Sequence, residues 1–139
     1  MFNKIFLSLE KRPKFLWLII LLYMALIFYL SSVPYPPQPI TGLKKEAPII
    51  EHIIEFTILG ILLVPGFRAI GYHNQSFVFA ILFGVFYGIS DEIHQYFVPG
   101  RYAELSDILA NSIGVLLGSL FSKLNIYPKF YCRKWVYKK

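Results

Sequence analysis

Cysteine is almost missing from this chain: Cys132 stands alone among 139 residues. One thiol builds neither a disulfide framework nor a multi-cysteine metal centre, and no chemistry is assigned to it. Charge is also scarce. Asp, Glu, Lys and Arg make up 16% of the residues, against about 25% in soluble domains. The 56% of hydrophobic residues excludes a disordered chain and is too much for a chain this short to cover with a polar skin. There is no GxSxG elbow, Walker loop, GxGxxG or HExxH, so the enzyme classes built on those motifs find no support. No internal repeat or low-complexity tract interrupts the sequence. A single membrane domain over 1–139 is the expectation that remains.

Four hydrophobic spans can be read from the chain. No charged residue occurs between Lys14 and Lys44, and residues 15–33 match the ~20 apolar residues that a bilayer core requires. The Pro-rich stretch from Pro34 to Pro39 closes this span. The apolar core is too long for a signal peptide and has no clear small-x-small cleavage site. Weaker spans follow at 49–64, 77–96 and 105–121, with polar residues at their edges. The links are short, which favours antiparallel neighbours in an all-α four-helix transmembrane bundle.

Basic residues set the expected orientation. Placing both termini in the cytoplasm leaves only Lys44, Lys45 and Arg101 of the fourteen basic residues outside, as the positive-inside rule favours. The net charge of +6 is then a matter of topology and of anionic lipid headgroups, and no nucleic-acid partner is implied.

On that topology, three stretches deliver polar groups to one level. Glu51, His52 and Glu55 lie at the start of span 2. Asp91, Glu92, His94 and Gln95 lie at the end of span 3. Glu104, Asp107 and Asn111 lie at the start of span 4. A charge at mid-membrane costs about 2.5–3.5 kcal/mol on insertion scales, less near the interface, so such groups usually line a site. Glu51, Glu104 and Asp107 have a plain alternative role, since carboxylates complement a helix N-terminus. Asp91 and Glu92 have none, because a helix C-terminus disfavours them. Asn111 has the alternative of joining helices by hydrogen bonding. Asp107, Asn111, Gly114 and Gly118 form one stripe at helical spacing, and Gly84, Gly88, Asp91 and Gln95 form another. Glycines allow close helix contact, so both stripes are expected to face the bundle.

The acids either share protons or hold a cation. His52, Glu55, Asp91 and His94 are the expected ligands if the cation is a divalent metal. Nothing in the sequence requires a cofactor. The same set with Glu51 and Glu92 supplies the candidates for acid–base work. Gln95, Arg101, Asp107 and Asn111 are the binding candidates, with the Arg101 guanidinium suited to a phosphate or carboxylate.

The run from Asp91 to Arg101 (DEIHQYFVPGR), continuing to Asp107, Asn111 and Gly114, resembles the signature of the VanZ-like family. Glu51-His52-x-x-Glu55-Phe56 resembles that family's earlier His block, and Ser31-Ser32 the polar end of its first hydrophobic segment. The resemblance covers about 28–118. It implies a small multi-pass protein of the bacterial cell membrane with a link to teicoplanin resistance, and it carries over Glu51, His52, Asp91, Glu92, Gln95, Arg101, Asp107 and Asn111.

Several functions stay open at this point. One is a factor that binds or modifies an envelope lipid, a lipid-linked precursor or a glycopeptide. Others are a metal-assisted membrane enzyme on a lipid-linked substrate and a structural accessory. An ion carrier is disfavoured, because no charge lies between Phe56 and Phe67 or between Ile108 and Ser122. The sequence does not set the oligomeric state or decide whether a reaction is catalysed.

Overall fold

The computed structural model describes residues 2–34 and 46–126. The rest of the Pro-rich link, Lys44, Lys45, the basic tail from Lys129 and Cys132 lie outside the described residues. Among the described residues every element is helical: α1 (Phe2–Glu10), α2 (Pro13–Ser31), α3 (Glu46–Ala69), α4 (Ser76–Gln95), α5 (Leu105–Phe121) and a π-helical turn (Ser122–Ile126). Among the described residues, four helices are long and apolar enough to cross a membrane: Pro13–Ser31, Ile49–Ala69, Ser76–Gln95 and Leu105–Asn125.

Local chemistry sets the ends of these helices. Pro13 opens α2 at its first turn, where a missing N–H removes no bond. The expected end of the second span at residue 64 is corrected. α3 runs through Pro65, which is fully buried inside it. Proline in a helix removes one donor, which membrane helices tolerate by local adjustment. The stop comes at Gly71, whose φ is +105°. The Tyr72 N–H donates to Phe67 O and the Gly71 N–H to Arg68 O, both at 3.0 Å. That pair of bonds is a Schellman cap, and the Phe67 and Tyr72 rings pack across it with centroids 6.4 Å apart. Arg68, expected in a link, therefore sits in the last turn of α3.

A second correction is α1, which the hydropathy reading leaves out. Phe6 is buried in the core, and Arg68 Nε donates to Glu10 at 3.1 Å. This short helix thus joins the end of the bundle that carries both described chain ends.

The seam of the bundle is α3 against α5. A Cβ placed on Gly60 would lie 2.5 Å from Val115 O, and one on Gly114 would lie 2.6 Å from Ile53 O. Residues rising along α3 meet residues rising along α5, so this pair is parallel, while chain neighbours are antiparallel. α4 closes on α5 through Gly84 against Val115 and Gly88 against Asn111. α2 lies on the outside, with Leu18, Leu21, Leu22 and Leu26 exposed toward what would be lipid. Side-chain bonds to backbone tie it in: Trp17 Nε1 to Gly66 O (3.1 Å), Tyr23 Oη to Glu55 O (3.0 Å), and Tyr87 Oη to Met24 O (2.6 Å). Some aromatics face inward. Phe56 is fully buried, and Trp17, Phe67 and Phe83 pack edge to face at the opposite end from the acids.

Candidate functional site

The up-and-down chain path brings the C-terminal ends of α2 and α4 beside the N-terminal ends of α3 and α5. Both glycine stripes are buried, so Asp91 and Gln95 on α4 and Asp107 and Asn111 on α5 turn into the bundle. His52 is 6% exposed, Glu92 1% and Asn111 0%, which makes this a packed polar core.

Two groups share it. In the first, Gln95 Nε2 donates to Asp91 Oδ2 at 2.8 Å and lies 3.4 Å from Glu92 Oε1 and 3.5 Å from Ser31 Oγ. The Gln95 carbonyl oxygen accepts from Arg101 Nη1 at 3.2 Å. Arg101 also donates from Nε to Val33 O at 3.0 Å and from Nη2 to Leu30 O at 2.9 Å. It reaches them because Val98, Pro99, Gly100 and Arg101 form a tight turn. The Arg101 N–H donates to Val98 O at 3.1 Å, with φ +80° at Gly100. Pro followed by a positive-φ Gly at the turn centre is the type II pattern.

In the second group, His52 Nε2 faces Glu92 Oε1 at 3.9 Å and Asp107 Oδ2 at 4.0 Å. The Glu104 backbone N–H donates to Glu92 Oε2 at 3.4 Å, and Ser106 Oγ lies 3.2 Å from Glu104 Oε2 and 3.4 Å from Asp107 Oδ1. His52 Nδ1, Asp91 Oδ1 and Asn111 Oδ1 are buried without a hydrogen-bond partner. Asn111 Nδ2 points to Gly88 O at 3.5 Å, so one end of this amide joins α5 to α4 and the other is unused.

The expected ligand set is not the one the helices assemble. Among the described residues, the group able to share an ion is His52, Glu92 and Asp107. Asp91 is held by Gln95. Glu55 is half-buried, and its carbonyl receives Tyr23. His94 leaves the cluster: its Nε2 lies 2.9 Å from Ser32 Oγ, and its ring stacks on Phe28 at 4.1 Å. Glu51 and Glu104 have exposed side chains. Reasoning from charge overlooked Ser31 and Ser32, which the resemblance alone had marked. It also overlooked the Leu30 and Val33 carbonyls, which leave no mark in a sequence.

The DExxQ run, the PGR turn and the His block thus meet at one end of a four-helix bundle. The family model described as VanZ/LLP1 matches residues 15–126, a range that takes in all four spans and every residue of both groups. No curated protein and no solved structure matches the chain. This chain belongs to the VanZ/LLP1 family.

Proposed function

We propose that this membrane protein acts in the bacterial cell membrane with both termini cytoplasmic. Its buried acid, imidazole and amide cluster lies just under the outer surface. There it binds or modifies a lipid or lipid-linked precursor of the cell envelope, and so changes the response to glycopeptides such as teicoplanin. The observation that carries this reading is the burial of Asp91, Glu92, Gln95, Asp107 and Asn111 at a single end of the bundle. Groups this costly to bury at a membrane helix end usually serve a site. The glycopeptide element comes from the family alone.

Reporter fusions test the orientation. A fusion after Lys139 is expected to report cytoplasm, and one between Pro34 and Pro39 the outside. An exterior C-terminus would put the cluster on the wrong side for an envelope substrate. For the function, expression in a susceptible Gram-positive host is expected to raise the inhibitory concentration of teicoplanin-like agents. Envelope lipid is expected to stay with the purified protein. Asp91→Asn should abolish both effects with membrane insertion intact, whereas Lys129→Gln on the basic tail should change neither. An unchanged response across a panel of envelope-active agents, with the protein present in the membrane, counts against the reading.

A further inference from the structure

We propose that His52 Nε2, Glu92 Oε1 and Asp107 Oδ2 bind a divalent transition-metal cation, zinc or manganese. The proposal rests on the same cluster as the reading above and deepens it by naming what the cluster holds.

The first argument is distance. The three ligand atoms all lie within 4.8 Å of one another. The imidazole nitrogen is 3.9 and 4.0 Å from the two carboxylate oxygens, beyond the roughly 2.7–3.2 Å of a hydrogen bond. Donors bound at about 2.0–2.2 Å to one ion lie about 3.0–3.5 Å apart. The cluster therefore needs to contract by about 0.4–1.0 Å per His–carboxylate pair to reach that ligand spacing, within the reach of side-chain rotations. The observed spacing is too wide for direct bonding and close to that of ligands around a shared ion.

The second argument is the imidazole itself. His52 is 94% buried by its 6% exposure. Its Nδ1 is buried without a partner, and its Nε2 lies within ion-pair reach of two carboxylates, at 3.9 and 4.0 Å, but beyond hydrogen-bond distance. A buried histidine kept for structure is expected to be hydrogen-bonded. This one is presented to the acids from a third helix without making such a bond.

The third argument is charge and orientation. Two carboxylates with side chains 1% and 13% exposed are expensive as anions in a low-dielectric region, and a dication makes the set neutral. Glu92 Oε2 accepts from the Glu104 N–H at 3.4 Å, and Asp107 Oδ1 lies 3.4 Å from Ser106 Oγ, whose proton is shared with Glu104 Oε2 at 3.2 Å. Asp107 Oδ2 faces His52, as does Glu92 Oε1, which also lies 3.4 Å from Gln95 Nε2. Partners of this kind orient ligating carboxylates in metal sites. Below the cluster, a Cβ at Gly88 would meet Asn111 at 2.9 Å and Phe56 at 3.2 Å. The three supporting helices are thus packed tightly one turn beneath the ligands. One imidazole and two carboxylates suit zinc or manganese better than a thiolate-seeking or all-oxygen ion.

The test uses the full chain, purified in detergent with a tag that contains no histidine and stripped with EDTA. Titration with zinc or manganese is expected to restore about one ion per chain and to raise the thermal midpoint, as binding to the folded state requires. His52→Gln, Glu92→Gln and Asp107→Asn are expected to weaken binding by at least ~100-fold. His73→Gln, exposed at the opposite end, should bind as wild type does. The proposal is overturned if wild type takes up neither ion, or if Glu92→Gln binds as tightly as wild type. It is also overturned if Glu92→Gln melts higher with no metal response, the result expected when a proton neutralises the cluster. Should the variants aggregate, cobalt(II) spectra of wild type decide. Ligand-field bands of an imidazole–carboxylate site support the proposal, and an aquo-ion spectrum overturns it. Metal binding by a protein that neither retains envelope lipid nor alters glycopeptide response would sink the functional reading alone. An altered response without metal would sink the metal site alone.

Discussion

Gly118→Val is expected to prevent the bundle from assembling. A Cβ at Gly118 would run into the Thr57 carbonyl oxygen, with the Thr57 carbon at 2.8 Å and the Ile61 nitrogen at 2.9 Å. All three are backbone atoms of α3, so no rotamer change relieves the contact, and the helix itself has to move. Gly60 and Gly114 also make close backbone approaches along the same seam, and displacement at one level opens the others. Packing carries helix association in a membrane, because lipid is as apolar as the side chains. Overpacking a core commonly costs about 1–3 kcal/mol. Three linked backbone contacts put this change at ~3 kcal/mol or more. The same displacement separates His52 on α3 from Asp107 on α5, so the site is lost with the fold. Thermal melting and gel filtration in detergent measure the effect. Leu117→Val, one residue earlier and 51% exposed, is the matched control and should melt normally. A Gly118→Val protein that elutes as wild type does and keeps its midpoint would show that the seam is not this tight.

How much of this was legible beforehand depended on the kind of signal. Spans 15–33, 77–96 and 105–121 fall within two residues of α2, α4 and α5, because long apolar runs and the turn residues around them are local. Span 2, expected to end at residue 64, runs on through Pro65 because the stop is the Schellman pattern at Gly71. α1 was missed because nine residues cannot span a bilayer, although Phe2, Ile5, Phe6 and Leu9 recur at helical spacing. The meeting of three polar stretches at one end follows from alternating helix direction and could be read without coordinates. Which acids would face each other could not, since that depends on helix rotation and depth. Asp91 and His94 are one turn apart, yet Asp91 turns to Gln95 while His94 lies against Phe28 of α2 and Ser32 just after it.

Arg101 is where the expected and observed roles differ most, and its substitution is expected to have the second large effect. The guanidinium was expected either to fold back over the acids or to meet an anionic ligand. Three of its donors instead go to Leu30 O, Val33 O and Gln95 Oε1. Leu30 lies in the last turn of α2, where carbonyls carry the negative end of the helix dipole and a cation is favoured. Arg101 therefore fastens the α4–α5 link to the end of α2 and holds the amide that bonds Asp91. A positioning residue and a charge that meets ligand predict different results for Arg101→Lys. Lysine keeps the charge, but one ammonium cannot match acceptors spread around a planar fork. If Arg101 positions, Arg101→Lys should be as damaging as Arg101→Gln. Both are expected to lose about 2 kcal/mol of stability, as hydrogen bonds from a charged donor commonly contribute about 1.5–3 kcal/mol. Amide exchange in the 96–104 link should speed up in both variants, and glycopeptide response should fall with it. If Arg101 acts only by charge on a ligand, Arg101→Lys keeps wild-type exchange and most of the activity. Exchange rates of that link, measured in wild type, Arg101→Lys and Arg101→Gln side by side, separate the two roles without knowledge of the ligand.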